Sequence, residues 1–517
     1  MRVRVKRWLF LTHRWLGVIA CLFMAMWFVS GVVMMYVGYP KLTQGERLAH
    51  LPPLRSGGAL LHPAQALAAA GVVQPLRELR LAAASGGRPV YIAEPDDQVN
   101  AGRRPAARGR DAVVIDAQSG QRLEAVDTQL ALKSAAAYVG DGVALRHAGT
   151  IDEDAFTHSR ALDGHRPLHV VDAGDADHTR LYVSGRTGEV VRDAPRAERL
   201  WNYAGAWIHW LYPFRGNAFD RYWADIVNWL SILCIAVALT GSVVGVMRWR
   251  FSRRYRSGSQ SPYAGRMMRW HHITGLVFAA VTLTWIFSGL MSMNPWKVFD
   301  VKAQPLRSEV LQGGALVPGP ELATPQALLA GANGDVRELR WVRTLGQPSV
   351  IARTGAGAAA VLDARTGRPA PLSLDAVRSA IPGLLDAAVV RIDTLPAYDL
   401  HYYARSAHTM TGGGEKPLPI LRAVFADEAG SWVHVDPATG AVLGRLDNGR
   451  RASRWLFAML HSWDWLPLLT RRPLWDIVLV VLSLGGTALS VTGMVIGWRR
   501  LGLKLRQAGR GAPGHHG

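Results

Sequence analysis

Four stretches carry no acidic or basic residue over most of their length: Trp15–Tyr39, Ile226–Met247, Ile273–Pro295 and Ile477–Trp498. Each is roughly 20–25 residues, enough for an apolar helix to cross a hydrocarbon core of about 30 Å. Between them the pattern changes to short alternating runs that predict strands, as in AVVIDAQSGQRL (112–123) and AAVLDARTGRPA (359–370). HPAQALAAAG (62–71) and TPQALLAGA (324–332) read as helices, whereas GERLAHLPPLRSGG (45–58) and NAGRRPAARGR (100–110) read as loops. The expected class is a membrane protein, an α-helical bundle of four main transmembrane helices with α+β domains outside it.

The pattern is also written twice. His13-Arg-Trp-Leu-Gly17 aligns with His271-His-Ile-Thr-Gly275, and without a gap Trp27, Ser30, Gly31 and Met35 fall on Trp285, Ser288, Gly289 and Met293. Trp-Ala-Asp225-Ile-Val resembles Trp-Asp476-Ile-Val, and Thr240-Gly241 and Gly245 fall on Thr492-Gly493 and Gly497. RPLHVVDAGDADHTRLYVSGRTGEVV (166–191) parallels KPLPILRAVFADEAGSWVHVDPATGAVL (416–443), with hairpin turns at Thr187-Gly188 and Thr439-Gly440. The predicted order is a terminus 1–12, span 13–39, exported domain 40–200, interfacial helix 201–222, span 223–247 and basic link 248–269. Then come span 270–294, a second exported domain 295–450, interfacial helix 451–472, span 473–498 and basic tail 499–517. The bundle is thus expected to be internally duplicated.

Hydrophobic residues make up 49% of the 517 and charged residues only 19%, in keeping with this plan. The net charge of +20 would suit a nucleic-acid partner, but its distribution argues against one. Basic residues gather at span ends: Arg2, Arg4, Lys6 and Arg7, then Arg248 to Arg269, then Arg499 to Arg510. By the positive-inside rule both termini and the short link are cytoplasmic, and segments 41–222 and 294–474 lie outside. The first span lacks an A-x-A site and reads as an uncleaved anchor. Cys21 and Cys234 fall inside spans and predict neither a disulfide framework nor a thiolate metal site.

HRWLG at the first span, HRPLHVV before the first hairpin, the SGRTGEVV turn, and LTG or VTG ending in Trp-Arg at the even spans resemble the PepSY-associated transmembrane family. The resemblance covers nearly the whole chain. It implies two extracytoplasmic PepSY-like domains and a place in the bacterial inner membrane. Relatives include di-haem proteins that reduce iron bound to siderophores. The resemblance therefore implies two b-type haems, a ferric chelate as acceptor and a cytoplasmic or quinol electron donor.

Of the 17 histidines, His13 and His271 occupy equivalent positions at the cytoplasmic ends of spans. His209 (GAWIHWLYP) and His461 (FAMLHSWDWLP) are likewise equivalent and lie on the outer side. Two pairs, one per membrane face, suit iron held by two neutral imidazoles within apolar walls. Gly17 and Gly275, four residues after the inner histidines, share their helix face and leave room for a flat macrocycle. Close packing between spans is the plainer role for such glycines. Arg14 and Arg269 inside, with Arg215, Arg221, Arg471 and Arg472 outside, are candidates for propionate contacts. His272, matched by Arg14 in the first half, is expected to meet a propionate or the backbone, or to replace His271 if the alignment slips by one.

Other features carry less. Trp27 and Trp285 are expected to pack, although they lie where an aromatic stepping stone between haems would lie. His147, His158, His165, His169, His178 and the stretch HYYARSAH (401–408) lack tight ligand spacing and read as solvated. Asp225 and Asp476 read as helix N-terminal residues. GRGAPG (509–514) fits G-x-G-x-x-G without a strand before it, so electrons are expected from another protein or carrier. Two rival readings stand beside the conduit: a haem-free membrane protein that binds peptides or proteases, and a transporter or transporter accessory. Against transport, no charged residue lies in the middle of a span.

Overall fold

The computed structural model describes residues 2–55, 59–96, 112–405 and 416–510. Residues 56–58 and 100–110, read from the sequence as parts of loops, His408 and residues 511–514 of GRGAPG lie outside these. Four long helices form the membrane part: α1 (Arg2–Tyr36), α2 (Trp223–Arg248), α3 (Arg266–Ser292) and α4 (Leu474–Arg510). The shortest, α2 at 26 residues, is about 39 Å long at 1.5 Å per residue, more than a hydrocarbon core requires. All four are long and apolar enough to span a bilayer. Each packs against two neighbours in the ring α1–α2–α3–α4, so α1 and α3 face each other diagonally. Ala20, Met24, Phe28, Cys234, Val237 and Ile286 fill the centre.

The arginine-rich ends of the helices meet at one end of the bundle, the base, and the sheets crown the other. Strands β1 (Leu76–Ser85), β2 (Arg88–Pro95) and β3 (Val113–Asp116) are followed by β4 (Leu145–Ile151), β5 (Leu168–Ala173), β6 (Arg180–Ser184) and β7 (Val190–Ala194). The second crown segment supplies β8 (Val336–Thr344), β9 (Gln347–Thr354) and β10 (Ala359–Asp363). After these come β11 (Val389–Leu395), β12 (Ile420–Phe425), β13 (Trp432–Val435) and β14 (Val442–Leu446). β4–β7 and β11–β14 form two four-stranded antiparallel sheets. The remaining strands join across the segments in one six-stranded sheet, ordered β10-β9-β8-β1-β2-β3. Its apolar face buries Leu79, Leu81, Tyr91, Leu339, Trp341 and Val350 in the largest core cluster.

The join is a self-complementary seam. Arg77-Glu78-Leu79-Arg80 recurs as Arg337-Glu338-Leu339-Arg340, and in the antiparallel pairing of β1 with β8 Arg80 lies opposite Arg340. Each arginine then meets the other strand's glutamate, Arg80 to Glu338 at 3.4 Å and Arg340 to Glu78 at 2.5 Å. Alternation along a strand puts all four on the polar face. Here Glu189, just after the Thr187-Gly188 turn, accepts both terminal nitrogens of Arg80 at 3.1 Å, and Arg47 reaches Glu338 at 2.6 Å. Arg80 thus ties both crown segments and a four-stranded sheet into one body.

Burial alone would raise the Glu189 carboxyl, but Arg80 and then Arg47 outweigh it and hold the group at about 2, below its usual 4.5. A depressed carboxylate stabilises the fold fully above its unfolded pKa, and the contribution disappears as pH falls through the folded one. Thermal unfolding of the crown is therefore expected to lose a component between pH 4.5 and about 2. Arg80→Ala removes the main partner of buried Glu189, leaving it only Arg47 at 4.0 Å, and is expected to cost about 3–5 kcal/mol at neutral pH and much less at pH 2.

Candidate functional site: two facing histidine pairs

His13 on α1 and His271 on α3 face each other across the diagonal at the base, with ring centres 6.3 Å apart and planes at 32°. Each ring is anchored through Nδ1 to a neighbouring helix. His13 meets the Val237 carbonyl at 3.1 Å, and His271 meets the Leu489 carbonyl at 3.2 Å and Thr492 Oγ1 at 3.1 Å. A carbonyl only accepts, so Nδ1 carries the proton in both rings and the lone pair resides on Nε2.

At the crown end His209 and His461 face each other with ring centres 6.2 Å apart and planes at 73°. They project from short wide-turned helical segments, Tyr203–Trp207 and Arg454–Met459, and the one turn that follows each. His209 Nδ1 meets Ser30 Oγ at 2.9 Å and His461 Nδ1 meets Ser288 Oγ at 3.0 Å. The two hydroxyls already donate within their helices, Ser30 to the Met26 carbonyl at 2.7 Å and Ser288 to the Trp285 carbonyl at 2.9 Å. Each serine therefore accepts from its histidine, and all four rings share one tautomer, Nδ1–H with an Nε2 lone pair. Burial, then the neighbouring His461, pushes the His209 imidazolium down to about 3, so this ring is neutral at physiological pH.

The crown-side pair borders a cavity of about 520 Å³ walled by Met24, Phe28, Met34, Trp285, Phe457 and Leu479 among others. Trp285 packs on Phe28 with ring centres 5.8 Å apart, and Trp27 donates its indole N–H to the His209 carbonyl at 2.9 Å. Among the described residues, no three His, Cys, Asp or Glu side chains converge in a way that could hold a bare metal ion.

Glycines decide whether the rings fit. A Cβ on Gly241 of α2 would stand 2.5 Å from His13 Cε1 and 2.9 Å from its Nδ1. On Gly493 of α4 a Cβ would collide with Cys21 Sγ and stand 3.2 Å from His271 Cε1. Gly31 and Gly289 lie beside the crown-side rings, with Cβ positions 3.7 Å from His209 Cε1 and 3.6 Å from His461 Cε1. Gly17 and Gly275 face Val237 and Leu489, at 3.8 and 3.5 Å. They bring α1 close to α2 and α3 close to α4, at the two residues whose carbonyls anchor the basal histidines.

His272 lies elsewhere. It is buried, with Nε2 on the Gly245 carbonyl at 2.9 Å and Nδ1 on Ser261 Oγ at 2.8 Å, and its ring lies edge-on to Trp249 and Tyr263. Nδ1 thus fastens the link 249–265 to α3, and Nε2 ties α3 to the last turns of α2. Arg14 and Arg269 are exposed there. At the crown end Arg215 pairs with Asp220 at 2.9 Å and lies over Trp223, and Arg472 pairs with Asp476 at 2.8 Å. Asp225 and Asp476 stand in the first turns of α2 and α4. In the crown, His147 and His169 lie on adjacent strands with Nε2 and Nδ1 3.3 Å apart, His165 meets Ser184 at 3.2 Å and His158 pairs with Glu153.

Sequence reasoning found the four facing histidines and gave no role to Ser30, Ser288, Thr492, Gly241 or Gly493. The signal was present, because each except Thr492 in its pairing with His271 belongs to a matched pair in the two halves: Ser-Gly on the odd spans, Thr-Gly on the even ones.

Four membrane-length helices enclosing paired histidines beneath a β-rich crown define a multi-pass membrane protein. More narrowly, the chain belongs to the family described as the PepSY-associated TM region, whose sequence profile matches residues 10–500. Among curated proteins none matches it.

The geometry separates two kinds of glycine. Gly241→Ala is expected to push His13 off its anchor and destabilise the bundle by about 1–3 kcal/mol. Gly17→Ala meets Val237 only at ordinary contact distance and should change the melting temperature in detergent far less.

Proposed function

We propose that this protein is a di-haem electron conduit, with one b-type haem between His13 and His271 and a second between His209 and His461. The observation that carries the reading is the spacing of the rings. Imidazole nitrogens about 2.0–2.1 Å from one metal, on opposite faces, put the ring centres roughly 6 Å apart. The observed 6.3 and 6.2 Å fit, without a side chain having to move far. The tautomer fits as well, since Nδ1 is anchored in all four rings and Nε2 is left as the ligating atom. Two imidazoles are too few for a bare ion and suit iron whose other positions a macrocycle fills. The apolar cavity beside the crown-side pair supplies such walls.

When bound, haem supplies one-electron cycling between ferric and ferrous iron. The residues of this chain hold, orient and insulate it. The four imidazoles are held by their Nδ1 anchors, the apolar centre of Met24, Phe28 and Ile286 keeps water from the path, and Phe28 with Trp285 occupies the space between the pairs. The basic ends of the helices support a cytoplasmic base and an exported crown, in a bacterial inner membrane. Each electron would enter at the base from a reduced carrier and leave at the crown, converting one Fe(III) of a ferric chelate to Fe(II). The recurrence of Arg-Glu-Leu-Arg, and of a histidine on Ser-Gly in each half, supports descent from a duplicated unit carrying PepSY-like domains.

The test is a reduced-minus-oxidised visible spectrum of the protein purified from membranes, with haem quantified against protein. Two low-spin b haems per chain are expected, with about half the haem lost in His13→Ala or His209→Ala and none in His272→Phe. A haem-free, folded protein would falsify the reading and favour a role in binding envelope partners.

A further inference from the structure

The two histidine pairs match in tautomer and ring separation yet differ in the angle between the rings: 32° at the base and 73° at the crown. We propose that this difference makes the sites electronically unequal, so that the crown-side site is the easier to reduce, and that Ser30 and Ser288 are the positioning residues that hold its rings crossed. The proposal rests on the di-haem reading and goes beyond it, because two equal sites would give no preferred direction.

The physical reason lies in how imidazole π electrons meet the iron. Each ring donates into the iron d orbital perpendicular to its own plane. Nearly parallel rings both raise the same orbital, separate it from its partner, and leave the vacancy of the oxidised state in the raised one. That stabilises ferric iron. Crossed rings raise the two orbitals nearly alike, and this stabilisation is largely lost. The base should therefore hold its electron less readily than the crown, and transfer from base to crown runs downhill. Ligand electronics of this kind are among the levers by which a protein sets a haem potential.

The angles are held by the hydrogen bonds at Nδ1. At the base the main-chain carbonyls of Val237 and Leu489, the second with Thr492 Oγ1 beside it, set the ring directions. At the crown the closest acceptors are the hydroxyls of Ser30 and Ser288, whose own rotamers are fixed by hydrogen bonds to the Met26 and Trp285 carbonyls, and His461 Nδ1 also lies 3.3 Å from the Trp285 carbonyl. His209 and His461 thus take their directions from α1 and α3 rather than from the short segments that carry them. Removing the Ser30 hydroxyl leaves the ligand in place and frees its rotation.

The experiment is electron paramagnetic resonance on the oxidised, full-length protein in detergent, with a potentiometric titration of the same samples. Two low-spin signals are expected, one with three resolved features from the base and one dominated by a single strongly shifted low-field feature from the crown. The second should vanish in His209→Ala and titrate at the higher potential. Ser30→Ala should keep the haem content, move the crown signal toward the resolved type and lower its potential, and Ser30→Thr, which keeps a hydroxyl, should restore both. Two signals of one type, a strongly shifted signal that survives in His209→Ala, or an unchanged crown signal in Ser30→Ala with haem intact would each overturn the proposal while leaving the di-haem reading standing. Absence of haem, read first from the absorbance, overturns both.

Discussion

A hydrogen-bonding side chain in a lipid-embedded bundle has no water to turn to, and this requirement organises the membrane half of the protein. His13, His271, His209 and His461 each answer it the same way, by giving Nδ1–H to a group on another segment. The cost of leaving an imidazole N–H unsatisfied in such a place, about 1–3 kcal/mol, fixes the tautomer and the direction of the ring together. Other features follow from it. Gly241 and Gly493 are glycine because the anchored rings pass there, and Ser30 and Ser288 are serine because the crown-side rings need an acceptor at that height. A polar pair that would be a liability in lipid becomes a rigid, oriented one.

The crown answers a different constraint. The four helices pack side by side in their ring, and the crown adds a second tie between the half that carries α1 and α2 and the half that carries α3 and α4. The six-stranded sheet links the segments that connect these helices, since β1 follows α1 and β8 follows α3. Its seam is held by arginine–glutamate pairs that would be worth little on an exposed surface and are worth more here because they are buried and mutually satisfied. Arg80 alone faces Glu189, Glu338 and Glu78. The carboxylates share arginines, Glu338 between Arg80 and Arg47 and Glu78 between Arg80 and Arg340, so the seam is a network rather than a set of single pairs and ties the two crown segments together.

Much of this was legible in the sequence, for reasons that differ by element. The spans were readable because length and apolarity are local properties, and the four facing histidines because each aligns with a twin in the other half of the sequence. Gly241 was visible as a match to Gly493 but had no role, since what a glycine makes room for is fixed by the neighbouring helix and not by its own chain. The shared sheet was hidden for a related reason. The repeat suggests two separate exported units, and only the pairing of Arg80 with Arg340 shows that like strands from each half meet. Arg-Glu-Leu-Arg is self-complementary when run antiparallel, a property that alignment of two parallel copies conceals. His272 shows the reverse. Adjacent to His271 in sequence, it lies about 100° around the helix and meets a different set of partners.

Each facing pair takes one ring from either half of the chain, and neither half alone could form a site. That follows from the ring order of the helices, because α1 and α3 are diagonal and their histidines can meet only across the centre. A single half would leave an anchored imidazole with its Nε2 lone pair turned into an apolar interior. In the whole molecule each ring is met by its twin from the other half, with ring centres 6.3 and 6.2 Å apart. The recurring pattern therefore sets two like surfaces face to face, while the ends differ in their anchors: main-chain carbonyls at the base, with the Thr492 hydroxyl beside one of them, and serine hydroxyls as the closest acceptors at the crown. The main chain admits almost no variation in an acceptor, whereas a serine can be replaced, so the crown-side rings are the ones whose anchoring small changes of sequence would alter.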